Sequence, residues 1–326
     1  MWSIDDRRQR SPRRVLSGAQ RATPWKHSSN LAPMSEDDMH HLHESVLDWY
    51  DEHARELPWR GPSASAWSVM VSEFMLQQTP VARVLPVHER WLARWPTPAA
   101  LATDPAGEAV RAWGRLGYPR RALRLHASAV AITERHGGEV PDSYDDLRLL
   151  PGVGDYTAAA IAVFAHTRRH AVLDTNVRRV LARTLDGHEL PPASVTVGER
   201  RRAEDLLPAD EVVAATWSIG LMELGALVCT AQRPRCADCP VADLCAWRAA
   251  GYPAYDGPVR RGQAWGGTDR QCRGRLLAVV RDAEGTVAQP RLDAVWPDEL
   301  QRVRCLAWLV EDGLVVRTAA GTFALP

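Results

Sequence analysis

Four cysteines stand within seventeen residues, spaced Cys229-x6-Cys236-x2-Cys239-x5-Cys245. Thiols at this density in a non-secreted chain are metal ligands more often than disulfide partners. Four thiolates suit a tetrahedral zinc or a [4Fe–4S] cluster. The uneven 6-2-5 spacing departs from the paired Cys-x2-Cys knuckles of most zinc ribbons. It favours iron–sulfur and leaves zinc open.

The 326 residues predict about two domains, and the formal net charge is zero. With no global field, any attraction to nucleic acid has to be local. Of 40 Lys and Arg residues only Lys26 is a lysine, so Schiff-base chemistry by a lysine of the folded body is excluded. No stretch approaches the ~18 apolar residues of a membrane span. The first thirty residues carry Arg7, Arg8, Arg10, Arg13 and Arg14 without a following apolar run, so no secretory signal is expected. The expected setting is the reducing bacterial cytoplasm. Cys272 and Cys305 are read as ordinary buried or free thiols.

Residues 1–35 read as a disordered basic tail, with translation from Met34 or a phosphate-touching arm as the two accounts of it. Residues 36–250 show apolar recurrence at helical spacing, with Gly or Pro at short connections. Residues 251–267 read as a linker. Residues 268–326 show helical spacing and then a short hairpin, which predicts a small winged-helix-like module for DNA binding or for packing.

Leu150-Pro151-Gly152-Val153-Gly154 separates two helical segments, the first opened by Ser143 with Asp146. Gly152 and Gly154 permit a tight turn whose backbone N–H groups face outward beside a helix N-terminus. Such a turn takes a phosphate oxygen without a charged side chain. Glu73 lies in WSVMVSEFMLQQT, with Val69, Met70, Leu76 and Gln77 on its helical face. A carboxyl there should have a raised pKa and hold a proton near neutrality. Asp174 precedes a helix starting near Thr175, so it reads as an N-cap kept ionised by N–H donors and the helix dipole. Two carboxyls in opposite states make one acid and one anion.

The order of these motifs resembles the endonuclease III superfamily of helix–hairpin–helix base-excision DNA glycosylases. Within it, residues 40–250 most resemble the adenine glycosylases acting opposite 8-oxoguanine. The matching residues are Leu57-Pro58-Trp59-Arg60, Ser72-Glu73-Phe74-Met75-Leu76-Gln77-Gln78-Thr79, Leu116-Gly117-Tyr118 and Asp174-Thr175-Asn176-Val177-Arg178-Arg179-Val180. The resemblance implies an all-α fold, a [4Fe–4S] cluster on Cys229, Cys236, Cys239 and Cys245, and mismatched or damaged double-stranded DNA as the partner of a monomer on the nucleoid. It implies that Glu73 protonates a flipped adenine and then helps activate water, while Asp174 stabilises the cationic sugar. Tyr156 fills the slot that holds a nucleophilic lysine in bifunctional relatives, which implies a monofunctional enzyme. Asn176 would place the water or Asp174. Gln78 and Tyr118 would wedge into the duplex, Trp59 and Arg60 would line the adenine pocket, and Arg233 and Arg235 would approach phosphates.

The match also has departures. The family commonly ends in a Nudix-like domain that reads 8-oxoguanine, and 76 residues after Ala250 are short for one. Thr175 replaces the usual Gly after the Asp, and Pro119 replaces a second Tyr. The competing readings are a thymine or uracil mismatch glycosylase, and a non-catalytic iron–sulfur DNA sensor.

Overall fold

The computed structural model describes residues 34–61, 63–257 and 265–326. Most of the tail and of the proposed linker therefore lie outside the described residues. Residues 34–326 form one compact unit.

Helices α1 (Glu36–His53), α2 (Ala66–Leu76), α3 (Val81–Arg94), α4 (Pro98–Ala102), α5 (Ala106–Trp113) and α6 (Arg120–Arg135) come first. They lead to α7 (Tyr144–Arg148) and α8 (Asp155–His166), the two arms of the glycine hairpin. Next are α9 (Thr175–Thr184), α10 (Val197–Asp205) and α11 (Glu211–Leu227), then the cysteine loop and α12 (Ala246–Ala249). The last segment holds α13 (Asp269–Arg281), α14 (Gln289–Asp293), α15 (Glu299–Glu311) and an antiparallel pair, β1 (Val316–Arg317) and β2 (Phe323–Ala324).

Local sequence accounts for most boundaries. Ser35, Ser65, Thr97, Ser143, Asp174, Thr196, Asp210, Thr268 and Asp298 each accept a backbone N–H in the first turn of the helix they precede. Ser35 belongs to the sequence-predicted tail, yet it caps α1.

Apolar side chains gather around two main centres. One joins α2, α3, α5, α6 and α8 through Met70, Phe74, Trp91, Trp113, Leu125 and Ile161. The other joins α1, α9, α11 and the cysteine loop through Val46, Val180, Trp217, Leu221 and Val241. α2 is buried on nearly every side from Trp67 to Met75, as its all-round apolar sequence requires. The alanines of α8 let it lie close against α2.

The order of helices followed by a hairpin in 268–326 is present, but each strand is only two residues long. The apolar side chains of this segment run on into the main body of the fold. Cys272, Leu276, Val280, Cys305 and Leu309 are buried in the same apolar centre as α2 and α6. Arg281 also donates to the Gly114 carbonyl at 2.7 Å. The described start of the proposed linker is tethered too: the Trp247 indole donates to the Pro253 carbonyl and Tyr255 N–H to Glu189.

Candidate active site

A cleft of about 810 Å³ opens where the two apolar centres meet. α2 supplies Val69, Glu73 and Leu76, α8 supplies Tyr156, and the start of α9 supplies Asp174, Thr175 and Asn176. The loop before α2 adds Trp59 and Arg60, and Gln78 stands at the rim. Six residues singled out in the sequence for the chemistry and the pocket thus line one cavity.

Glu73 is 4% exposed on a helix buried on nearly every side. Burial drives its pKa up to about 7; the Tyr156 hydrogen bond opposes the rise, Asp174 adds to it, and Arg60 opposes it. The Tyr156 hydroxyl donates to Glu73 Oε2 at 3.0 Å. Its own pKa is pushed well above the usual phenol value by burial first and by the two carboxyls next, so it remains a donor.

Asp174 caps α9 as the sequence predicts: Oδ1 accepts from Val177 N–H at 2.6 Å, and Oδ2 accepts from the Asn176 amide at 2.7 Å. These are the donors expected of the cap. Burial outweighs them and raises the Asp174 pKa. The difference between the two carboxyls lies in their donors: a backbone N–H and an amide stabilise the Asp174 anion, while Glu73 has one phenol.

Asn176 is fixed from behind. Arg179 Nη2 donates to Asn176 Oδ1 at 2.8 Å, so the amide nitrogen faces Asp174. α11 also passes so close that a Cβ on Gly225 would lie 2.7 Å from the Asn176 Cβ. Only glycine fits there. Arg60 pairs with the fully buried Glu223 at 3.0 Å, and Glu223 is shared with Arg55. Burial raises and these arginines lower the Glu223 pKa, with a net lowering, so it is an ionised counter-charge behind the pocket.

Gln78 and Tyr118 are both exposed, and both have positive φ, 56° and 46°. Few non-glycine residues adopt this region. A side chain not singled out in the sequence, Arg121, explains how the two loops hold it. It is 5% exposed. It donates to the carbonyls of Phe74 and Met75 at the end of α2, to the Gln77 carbonyl and Thr79 hydroxyl in the loop that follows, and to the Gly117 carbonyl on the other loop. With no carboxylate among these partners, burial lowers its pKa to about 10.

In the hairpin, Gly152 has φ 78° and lies against Arg124, where a Cβ would come within 2.6 Å of that side chain. Gly154 caps α8 through its backbone, without a side-chain bond. Asp155 at the same end is paired with Arg148 and Arg200, which offsets its charge beside any phosphate.

The four cysteines line one hollow with Val180, Arg183, Val228 and Trp247. Among the described residues no three His, Cys, Asp or Glu side chains gather as closely as a single ion needs, with Zn–S of about 2.3 Å. A hollow ringed by four thiols fits a larger multi-atom group. Burial, then the neighbouring thiols, push Cys239 up to about 11, so this thiol needs a cationic centre beside it to ionise at neutral pH. Arg183, 1% exposed, donates to Cys229 Sγ at 3.3 Å and to the Thr230 and Ala231 carbonyls. Arg233 and Arg235 are exposed on the loop, and Arg235 donates to the Leu227 carbonyl at 2.9 Å.

This fold and site are those of a helix–hairpin–helix DNA-repair protein. Residues 71–197 match the HhH-GPD superfamily of base excision DNA repair proteins. Residues 229–245, the stretch that holds all four clustered cysteines, match the iron–sulfur binding domain of endonuclease III, and the cofactor is a [4Fe–4S] cluster. The adenine DNA glycosylase of Mycobacterium tuberculosis (strain ATCC 25618 / H37Rv) is 54% identical over 283 residues, 86% of this chain and 92% of that protein. The one from Mycolicibacterium smegmatis is 52% identical over 282 residues, 86% of this chain and 94% of that protein. A thermostable thymine-DNA glycosylase structure superposes with TM-score 0.59 at 23% identity, over 66% of this chain and 98% of that one. The chain belongs to the adenine DNA glycosylase family.

Proposed function

We propose that this protein excises adenine from mispairs with 8-oxoguanine or guanine in duplex DNA, as a monomer, by hydrolysis and without a lyase step. The observation that carries the reading is the buried Glu73, protonatable near neutrality and facing Asp174 across one cleft. The base identity is supported by the relatives that are 52–54% identical over most of the chain, because the fold is shared with a thymine-DNA glycosylase.

Adenine enters the cleft between Trp59 and Tyr156 once the base is out of the stack. Glu73 gives its proton to N7 of the base. The N-glycosidic bond then breaks with its electron pair leaving on adenine, and the sugar becomes cationic. Asp174, aligned by Asn176, stabilises that cation. Water adds at the sugar carbon and its proton passes to the Glu73 carboxylate, restoring the acid. Arg60 is held off the base by Glu223 and lends positive potential to the pocket. When bound, the [4Fe–4S] cluster ties four thiolates and stiffens the loop of Arg233 and Arg235. The bond-breaking belongs to Glu73 and Asp174.

A lyase step needs an amine nucleophile. Tyr156 occupies the hairpin position, and none of the described residues is a lysine. Gln78 and Tyr118 act as the wedge, and the backbone of Gly152 and Gly154 takes a phosphate. No described helix is long and apolar enough to cross a membrane, and a DNA substrate places the enzyme on the bacterial nucleoid.

The test is a panel of duplexes carrying A:8-oxoguanine, A:G, T:G and U:G, incubated with cluster-loaded protein with and without alkali. Release of adenine from the first two, with strand cleavage only after alkali, is the expected result. Intact A:8-oxoguanine duplex refutes the reading. Cleavage of T:G or U:G moves the protein to the thymine or uracil branch, and binding without excision makes it a sensor.

A further inference from the structure

We propose that the segment after residue 264 extends the DNA-binding surface, with Trp265 and Arg270 stacking and gripping the strand that has lost its partner base. The proposal rests on Tyr118 being the wedge. The Arg270 guanidinium lies 5.0 Å from the Tyr118 ring centre and 5.3 Å from the Trp265 ring centre. The Arg121 guanidinium lies 5.5 Å from the Tyr118 ring centre, so the wedge ring has a cation from each segment. The result is a strip of ring, guanidinium and ring.

Three observations give this strip a ligand. It is open: Tyr118 is 44% and Trp265 53% exposed, and Arg270 is exposed. Its charge is unspent: Arg120 and Arg273 are both paired with Asp312, and Asp269 with Arg304. Among the described residues Arg270 has no paired carboxylate. It also lies beyond the wedge: Gln78 lines the cleft that holds Glu73, whereas Tyr118, Arg270 and Trp265 do not. A base drawn into the cleft leaves its former partner outside it, and the strip lies outside it as well. Flat aromatic faces with a planar cation between them suit a nucleobase stacked next to a phosphate. Such contacts tolerate any base, so the strip adds affinity without reading sequence.

The experiment uses the full-length, cluster-loaded protein and duplexes bearing a tetrahydrofuran abasic analogue opposite each of the four bases. Fluorescence anisotropy gives the affinities. W265A and R270A are expected to weaken binding about tenfold with every opposite base. R270A is also expected to lower the salt dependence by about one counterion. Both residues are exposed, and an unchanged melting temperature verifies the fold. The same changes are made in a Y118A background. There, a persisting loss supports direct contact, while no further loss shows that the strip only props Tyr118 and overturns the proposal. Unchanged affinity, or a loss confined to one opposite base, overturns it as well. The analogue cannot be cleaved, so this outcome is independent of the mismatch panel. An enzyme that cuts A:8-oxoguanine and ignores W265A and R270A disproves the strip alone.

Discussion

At the scale of single residues, the role proposed for Glu73 couples activity to stability. Its folded-state pKa of about 7 lies above the unfolded 4.5. A group raised on folding contributes stability that is fully present below the unfolded value and is lost as pH rises through the folded one. Glu73→Gln should therefore be as stable as the parent near pH 4.5 and more stable above pH 7, by about 3 kcal/mol. Chemical denaturation at the two pH values measures this. The same substitution removes the acid and should lower single-turnover excision by about 100- to 10,000-fold. The parent's rate should fall as pH climbs through 7, because the protonated fraction falls. Gly225 touches no substrate, yet Gly225→Ala should push Asn176 away from Asp174. The expected result is slower excision with DNA affinity retained; unchanged single-turnover rates speak against Asn176 as the aligning group.

At the scale of elements, a pair of loops and one helix do most of the positioning. Arg121 joins the loop after α2 to the loop before α6, and each acceptor it leaves unsatisfied costs about 1–3 kcal/mol. Arg121→Ala should lower stability and also weaken binding to abasic-analogue DNA as far as a Gln78→Ala, Tyr118→Ala double variant does. Arg121→Lys, with one compact ammonium for five acceptors, should recover only part of either. Affinity that tracks the parent despite the lower melting temperature excludes a positioning role.

The sequence reveals the caps, the hairpin, the cysteine loop, Glu73 and Asp174 because each depends on neighbours a few residues away. Arg121 and Phe74 are 47 residues apart, and Arg55 and Glu223 are 168 apart. Their partnership exists only after folding. An arginine in a helical pattern looks like solvated charge, and Gly225 looks like an ordinary break in an apolar helix. The burial of Asp174 is hidden for the same reason: the capping donors are local, while the burial that outweighs them comes from other helices.

At the scale of the whole molecule, the C-terminal segment and the cysteine loop are built into the enzyme. A winged-helix-like module behind a linker predicts tolerance of its removal. The shared core predicts the opposite. Truncation at residue 257 removes the C-terminal share of this apolar centre and the partners of Gly107 and Gly114, and should lower the melting temperature by about ten degrees or more. A truncated protein that melts with the parent restores the separate module. The cysteine loop is joined to the catalytic end of α9 by Arg179, which donates to the Cys229 carbonyl at 2.7 Å and to Asn176. Removing the cluster with a chelator and oxidant should therefore reduce the rate at saturating DNA as well as the affinity. A loss of affinity alone limits the loop to phosphate contact.

Gln78 and Tyr118 hold left-handed conformations in loops that the chain's own Arg121 ties together, and this bears on how lesions are found. A repair enzyme passes very many ordinary base pairs for each one it cuts. If its wedge had to be formed at every encounter, each inspection would carry the delay and entropy of ordering two loops. Here the ordering is done once, when the chain folds around Arg121. The remaining barrier at each step belongs to the DNA, in the unstacking of the pair under test. The pace of scanning would then follow the local softness of the duplex, and weakened mispairs would open to a probe that is already in shape.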